Sequence, residues 1–545
     1  MRVFSDIKKR ELKTASEYYR NEAGRDCSGA LLSSSHCTEA TIPLAHGSVM
    51  RAVALTLIAH EFPRTIAVWR DRMTDLAMAN PCETMTPNRL NPPRVRLPKL
   101  VQGVLLTLFR RNAMRYWIKR HGRIFEFNVP FFGRSVIVSD PALVRSVCTA
   151  SAEQLTNYEA NLSNFFGPGS IFALDGRRHH DRRRLLAPAF HGRSLKNYES
   201  IVIDETLRET ANWPENKEFR ILEPMHTITL NAILRIVFGA DGAELEDLCE
   251  VIPRYAKLGS ILAKFMPVPK FRTWHYSPWS KLDEIRRVFD RTVFGIIDRA
   301  AADPGLGERT DILALLLRSG HIDGTQMSRQ DICDELVTLV GAGHETTASA
   351  LSWAFERLRR HPDVLAELVR EVDAGGSDFR RATILEVLRM RPIIDYPGRR
   401  VSASYFDLGA WRIPHNRNVF VSLADLHENP DIFPHPERFD PNRFRDAKHP
   451  APGWLAFGSG ARRCMGADFA IAEMDIVLRT VLQKFQIHTD SAADEKSHFR
   501  GVAYAPKLGG RVVVSSSQPP KVAHYVDAAD QPIARATTRH PLQRR

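Results

Sequence analysis

Hydrophobic and polar positions along this chain fall into a few regular patterns, most of them helical. Arg123–Val129 and Arg134–Val138 alternate apolar and polar residues about Pro130-Phe131-Phe132-Gly133, which predicts two strands in a hairpin. Asp140-Pro141 follows, an N-cap residue and a proline suited to the first helical position. From there the spacing is mainly that of helices. The longest periodic run is Asp331–Arg360, with Ile332, Leu336, Leu339, Val340, Leu351, Ala354 and Leu358 forming an apolar stripe. A second helix is predicted behind residue 466 from Phe469, Ala472, Met474, Ile476, Leu478 and Leu482. Short strands are expected at Val419–Leu423 and Arg511–Val514, and no internal repeat is found. The pattern describes a mainly α protein with a small β region.

Composition narrows this picture. The 545 residues are 43% apolar, enough for a sizeable core. The length suggests about three or four domains, but no strong linker divides the chain after position 100, so one large domain is equally possible. Residues 1–84 mix charged, Ser-rich and weakly helical pieces and read as an N-terminal extension; residues 516–545 are polar with a basic end and read as a tail. Pro92-Pro93-Arg94-Val95-Arg96-Leu97-Pro98 reads as an extended arm leading into the domain. Seven scattered cysteines make no disulfide framework and fit a reducing compartment. A net charge of +13 points to an acidic protein partner, anionic lipid or nucleic acid, and no nucleic-acid motif accompanies it. The apolar runs Val53–Ala59 and Leu100–Phe109 fall well short of the ~20 residues that span a bilayer. A cytoplasmic protein without a transmembrane anchor is expected.

Candidate chemistry centres on Phe457-Gly458-Ser459-Gly460-Ala461-Arg462-Arg463-Cys464-Met465-Gly466. A lone cysteine stands where a helix begins, beside two arginines, and both features favour a thiolate. Gly460 and Gly466 would let backbone approach a flat ligand. With no second Cys or His nearby this is no zinc site. A single thiolate suits one axial position of haem iron with the other face open, against the ordinary alternative of a buried structural cysteine. A phosphate loop is excluded, because neither G-x-G-x-x-G nor Gly-Lys-Ser/Thr is completed. Upstream, His179 and Arg183 are four apart on one helix face and suit a carboxylate, although arginine runs are more often solvated. Gly341-Ala342-Gly343-His344-Glu345-Thr346-Thr347 is poor helix material inside the longest helix. It reads as an opening for ligand or water, or as a tight helix crossing that needs glycines.

These stretches resemble, in order and spacing, the motifs of the cytochrome P-450 haem-thiolate monooxygenases. The cysteine loop matches F-x-x-G-x-R-x-C-x-G, residues 342–346 match A-G-x-[D/E]-T, and Glu386-Val387-Leu388-Arg389 matches E-x-x-R. Pro436-Glu437-Arg438-Phe439 follows as the expected source of a further arginine. The resemblance covers roughly residues 92–515, and Leu174-Asp175-Gly176 and Ala187-Pro188-Ala189-Phe190-His191 give it a bacterial flavour, closest to soluble actinobacterial and mycobacterial members.

The resemblance favours one large domain over 85–515 and implies the triangular, mostly helical fold of that family and a haem b cofactor with Cys464 as axial iron ligand. It assigns His179, Arg183, Arg462 and Arg399 (or Arg400) to the propionates, and Phe457, Gly458 and Gly466 to the haem face. Glu345 and Thr346 become the acid–alcohol pair that relays protons during O2 activation, with His344 a bystander. Glu386, Arg389 and Arg438 become a buried structural triad. The implied reaction inserts one oxygen atom of O2 into an apolar small molecule, the other leaving as water. With no dinucleotide or flavin motif, electrons would come from NAD(P)H through a ferredoxin reductase and ferredoxin, to a monomeric enzyme. Substrate contacts are expected from residues 155–170 and 255–279. The alternatives are peroxide-driven or other oxidative haem-thiolate chemistry, and a non-enzymatic haem sensor that would need no proton relay.

Overall fold

The computed structural model describes residues 91–130, 133–158, 165–264, 278–319, 326–445 and 453–517. Expectations for the extension 1–84, the hairpin tip at Phe131 and Phe132, parts of the two substrate loops and the tail beyond 517 lie outside that set.

Numbering only the elements that frame the site, the chain opens with α1 (Lys99–His121) and the hairpin β1 (Ile124–Val129) and β2 (Gly133–Val138). The alternation in the hairpin is used on both faces. Phe125, Phe127 and Ile137 pack on Met114 and Trp117 of α1, while Ile124, Val136 and Val138 join Val144 and Val147 of α2 (Pro141–Thr149). The Asp140 carboxylate caps α2 by accepting from the N–H groups of Ala142 and Leu143 at 3.0 and 3.1 Å. There follow β3 (Leu155–Asn157), α3 (Gly176–Leu186), α4 (Leu222–Phe238), α5 (Arg329–Arg360) and α6 (Asp378–Met390). The C-terminal part adds β4 (Gly398–Val401), β5 (Asn418–Val421), α7 (Ala467–Lys484) and the pair β6 (Ser497–Phe499) and β7 (Tyr504–Pro506).

The five-stranded sheet runs β1-β2-β5-β4-β3, with β5 parallel to β2 and the other pairs antiparallel. The strand expected at 419–423 is thus observed at 418–421, because Leu423 already opens a short helix. The strand expected at 511–514 is split in two, and its second part, Val514–Ser516, pairs with Phe485–Ile487.

Helix α5 runs through the middle of the helical core and is buried along most of its length. The Ser328 hydroxyl accepts from the Asp331 N–H at its start, and Arg357, Arg359 and Arg360 oppose the dipole at its end. Ile332, Leu336 and Val340 pack with Leu230, Ile233 and Val237 of α4. Leu351, Phe355 and Leu358 pack with Met474, Val477 and Val481 of α7. Each such side chain contributes about 1.5–3 kcal/mol by leaving water, so α5 is held by packing in spite of its two glycines.

Candidate active site

Residues 457–466 form a loop whose shape is set by glycine. Gly458 and Gly460 adopt φ of +68° and +67°, a left-handed conformation other residues resist. The N–H of Gly458 bonds the Leu455 carbonyl at 2.7 Å, and that of Cys464 bonds the Phe457 carbonyl at 2.8 Å. Gly460 has a second reason to be glycine. A Cβ there would lie 1.9 Å from the carbonyl oxygen of Cys148 in α2, so this residue makes room for α2 and not for a flat ligand as its sequence suggested. At Gly458 and Gly466 a Cβ would meet nothing within 4 Å, and both residues line the central cavity.

That cavity has a volume of about 720 Å³ and reaches from the cysteine loop past α5 to α1. Cys464 is exposed, and the cavity is among the surfaces it faces. Desolvation by the protein around it still pushes its thiol pKa up, against the pull of the Gly466 N–H, Arg463 and Arg183. In the chain by itself, desolvation therefore outweighs the helix end and the two arginines that favour the thiolate.

His179, Arg183, Arg399 and Arg462, named from sequence, line this same cavity. They are short of acids. Arg462 pairs with Asp175 and donates to the Leu174 carbonyl, Arg183 donates to the Arg463 carbonyl at 2.7 Å, and Arg399 donates to its neighbour's carbonyl at 3.0 Å. Burial, followed by repulsion from Arg462, Arg183 and Arg399, pushes the pKa of His179 down to about 3. Burial and Arg462 push Arg399 down to about 10. Arg400, the alternative, does not line the cavity. Phe457 lines it beside Gly458 and stacks edge-on to Trp454, 5.8 Å away.

Helix α5 presents Gly341, Ala342, Glu345, Thr346 and Thr347 to the cavity. It is continuous through this turn. The Thr346 and Thr347 hydroxyls donate back to the carbonyls of Ala342 and Gly343 at 2.7 and 3.0 Å, so the glycines do not open the backbone ladder. They serve packing. A Cβ on Gly341 would come within 2.6 Å of Phe166, and one on Gly343 within 3.3 Å of Ile233 of α4. The Glu345 carboxylate lies 3.5 Å from Arg500. His344 lies outside the cavity lining and faces His226, with 3.3 Å between ring nitrogens.

One expectation is corrected. Glu386 and Arg389 form a fully buried pair with contacts of 2.7 and 2.8 Å, but the arginine that approaches Glu386 next is Arg443, at 3.5 Å. Arg438 is exposed and supplies only its backbone carbonyl to Arg389. Its neighbourhood turns through a 3-10 helix at Pro441–Phe444, which swings Arg443 inward. From this network Arg389 donates to the His427 carbonyl, and the His427 ring accepts from the Leu455 N–H at 3.0 Å, just ahead of the cysteine loop. Sequence reading also passed over Glu473 of α7. It is fully buried, and burial pushes its pKa up to about 8, with Thr347 the group opposing the shift.

The residues present fit a haem. A thiol opens into the cavity, a basic cluster there has a single carboxylate, Asp175, among four basic side chains, and the two glycines facing the cavity leave a cradle that side chains would fill. Comparison with known proteins agrees. The family model for Cytochrome P450 matches residues 92–510. Cytochrome P450 138 of Mycobacterium tuberculosis is 53% identical over 423 residues, covering 78% of this chain and 96% of the relative. Cytochrome P450 135B1 of the same organism is 35% identical, covering 78% of this chain and 92% of the relative. Among solved structures, retinoic acid-bound cyanobacterial CYP120A1 superposes with a TM-score of 0.69 at 23% identity, over 78% of this chain and 99% of that one. The cytochrome P450DA haem domain gives 0.67 at 21%, over 79% and 98%. The chain belongs to the cytochrome P450 family of haem-thiolate monooxygenases.

Proposed function

We propose that this enzyme oxidises an apolar small molecule with O2, drawing electrons from NAD(P)H through a separate ferredoxin reductase and ferredoxin. Haem b, when bound, supplies the oxygen-activating chemistry, with the Cys464 thiolate as iron ligand. The observation that carries this reading is the basic cluster His179, Arg183, Arg399 and Arg462 lining one cavity with Cys464. Two propionates would neutralise what Asp175 alone does not, and Phe457, Gly458 and Gly466 would lie against the ring. On the opposite wall, Thr346 holds its hydroxyl proton toward the Ala342 carbonyl, 2.7 Å away, in a position to turn into the cavity. Its chain neighbour Glu345 also lines the cavity, with its carboxylate 3.5 Å from Arg500, and is the acid of the proposed relay. A relay of this kind is superfluous in a sensor and favours the enzyme. Leu106, Phe127, Val129, Ile137, Phe166 and Phe420 surround the remaining space with apolar surface, which excludes water and suits an apolar substrate.

Arg463 is partly exposed next to the cysteine and lies 3.7 Å from Asp468, a loose pair that leaves its charge available to an acidic redox partner. Among the described residues no helix is long and apolar enough to cross a membrane, which accords with a cytoplasmic enzyme served by a soluble ferredoxin. The test is carbon monoxide added to the reduced, haem-loaded protein. The red-shifted band of thiolate ligation should appear and should vanish in Cys464→Ser, while product forms with NAD(P)H, reductase and ferredoxin. A thiolate band that survives in Cys464→Ser sinks the ligand assignment. Turnover that proceeds only with peroxide sinks the electron route.

A further inference from the structure

Of the basic side chains that line the cavity, His179, Arg183, Arg399 and Arg462 belong to the cluster given to the propionates, and Arg463 belongs to the cysteine loop. Arg110 belongs to neither. It projects from α1 into the cavity wall and lies over the Phe499 ring of β6, 4.2 Å from its centre. Its neighbour Arg111 is fully engaged, with two 3.0 Å bonds to Asp395 and a third of 3.0 Å to Ser497. Arg115, one turn on, pairs with Glu428. Among the described residues Arg110 makes no close ion pair; it acts on Asp395 only at longer range, while Arg111 holds both oxygens of that carboxylate.

A second group converges on the same place. Tyr504 of β7 lines the cavity, is 5% exposed, and its buried O–H has no acceptor. Asp395, Arg110 and Arg111 act on this hydroxyl, and Arg110 is the side chain that donates toward its oxygen. A guanidinium and a phenol whose O–H lacks an acceptor thus stand together, beside the Arg111–Asp395 pair, on a wall that also carries Leu106, Met114, Phe127 and Val129. Buried polar groups left unsatisfied are costly, and the cost is met by a ligand that supplies the missing acceptor. A wholly apolar molecule filling this end would strip water from both groups and return nothing. A carboxylate accepts from a guanidinium and a phenolic O–H together. A phosphate would want more donors than these two.

We propose that Arg110 and Tyr504 form an anchor for the carboxylate of an amphipathic substrate, whose apolar body extends through the cavity toward Cys464. The inference rests on the monooxygenase reading and narrows its substrate class from apolar molecules in general to apolar carboxylic acids. Arg110 would then set which carbon reaches the reacting end, because the anchored head fixes how far the tail extends.

The test uses the full-length, haem-loaded protein with dodecanoic acid and its methyl ester, which differ in charge and little else. Dissociation constants are measured by equilibrium dialysis at neutral pH. The acid should bind about tenfold or more tightly than the ester, equivalent to about 1.4 kcal/mol. Arg110→Gln should weaken the acid about tenfold and leave the ester unchanged. Arg110→Lys should retain most of the preference, which separates lost charge from lost packing, and Tyr504→Phe should weaken the acid a few-fold. Equal binding of acid and ester, no binding of the acid, or a preference that persists in Arg110→Gln overturns the proposal. A protein with the thiolate band but no acid preference would overturn this inference alone. Acid preference in a protein lacking the band would overturn the monooxygenase reading alone.

Discussion

Around Glu386, each guanidinium has an acceptor: Arg389 meets both carboxylate oxygens and two carbonyls, and Arg443 closes the other side. Around the cysteine loop, three arginines and a histidine share one carboxylate, Asp175, and otherwise lean on backbone carbonyls. Both groups are buried and both are rich in arginine, yet their charge balance is opposite. The first is complete without any ligand and holds the chain's course between α6 and the cysteine loop. The second leaves positive charge crowded beside the cavity, which supports the propionate role proposed for it. Arginine count alone separates neither; the ratio of acids to bases does.

Breaking the balanced group should have the largest effect. Glu386→Ala strands Arg389 in the interior and should cost about 3–5 kcal/mol, the usual result of removing one partner of a buried pair. Chemical denaturation of the haem-free protein measures this, and a loss under about 1 kcal/mol would place the pair at the periphery of the fold. The unbalanced group should respond with opposite signs in the two states. Arg399→Gln relieves repulsion, so the haem-free protein should keep its stability or gain up to about 1 kcal/mol. The loaded protein should release haem to a scavenger about tenfold faster. A destabilised haem-free protein with unchanged haem release would show that Arg399 is structural. The smallest contrast separates two arginines close in sequence. Arg443→Ala should cost about 1–3 kcal/mol, whereas Arg438→Ala should stay within about 0.5 kcal/mol. Equal losses in thermal melts would return Arg438 to the triad.

The sequence made the fold and most of the site legible where a local pattern carries the chemistry. The hairpin, α5, α7 and the Asp140 cap follow from periodicity and capping, and Cys464, Arg399 and Thr346 stand in motifs that can be read along the chain. Arg443 was hidden by a repeated pattern: Pro436-Glu437-Arg438-Phe439 is followed by Pro441-Asn442-Arg443-Phe444, and only the 3-10 turn decides which arginine points inward. Gly460 and Gly343 look like room for a ligand until their neighbours, the Cys148 carbonyl and Ile233, are in place. Arg110 and Tyr504 give no local signal. They come together because the α1 and β7 regions, from opposite ends of the domain, meet at one wall of the cavity.

The closeness of Gly460 to the Cys148 carbonyl also has a bearing on how the protein is made. The loop that presents the cysteine takes its shape against the end of α2, a helix synthesised long before it. Contacts between such distant segments form late, because the intervening chain must first be ordered. A growing or half-folded chain therefore does not offer a finished cysteine loop, and haem capture becomes one of the last events of folding.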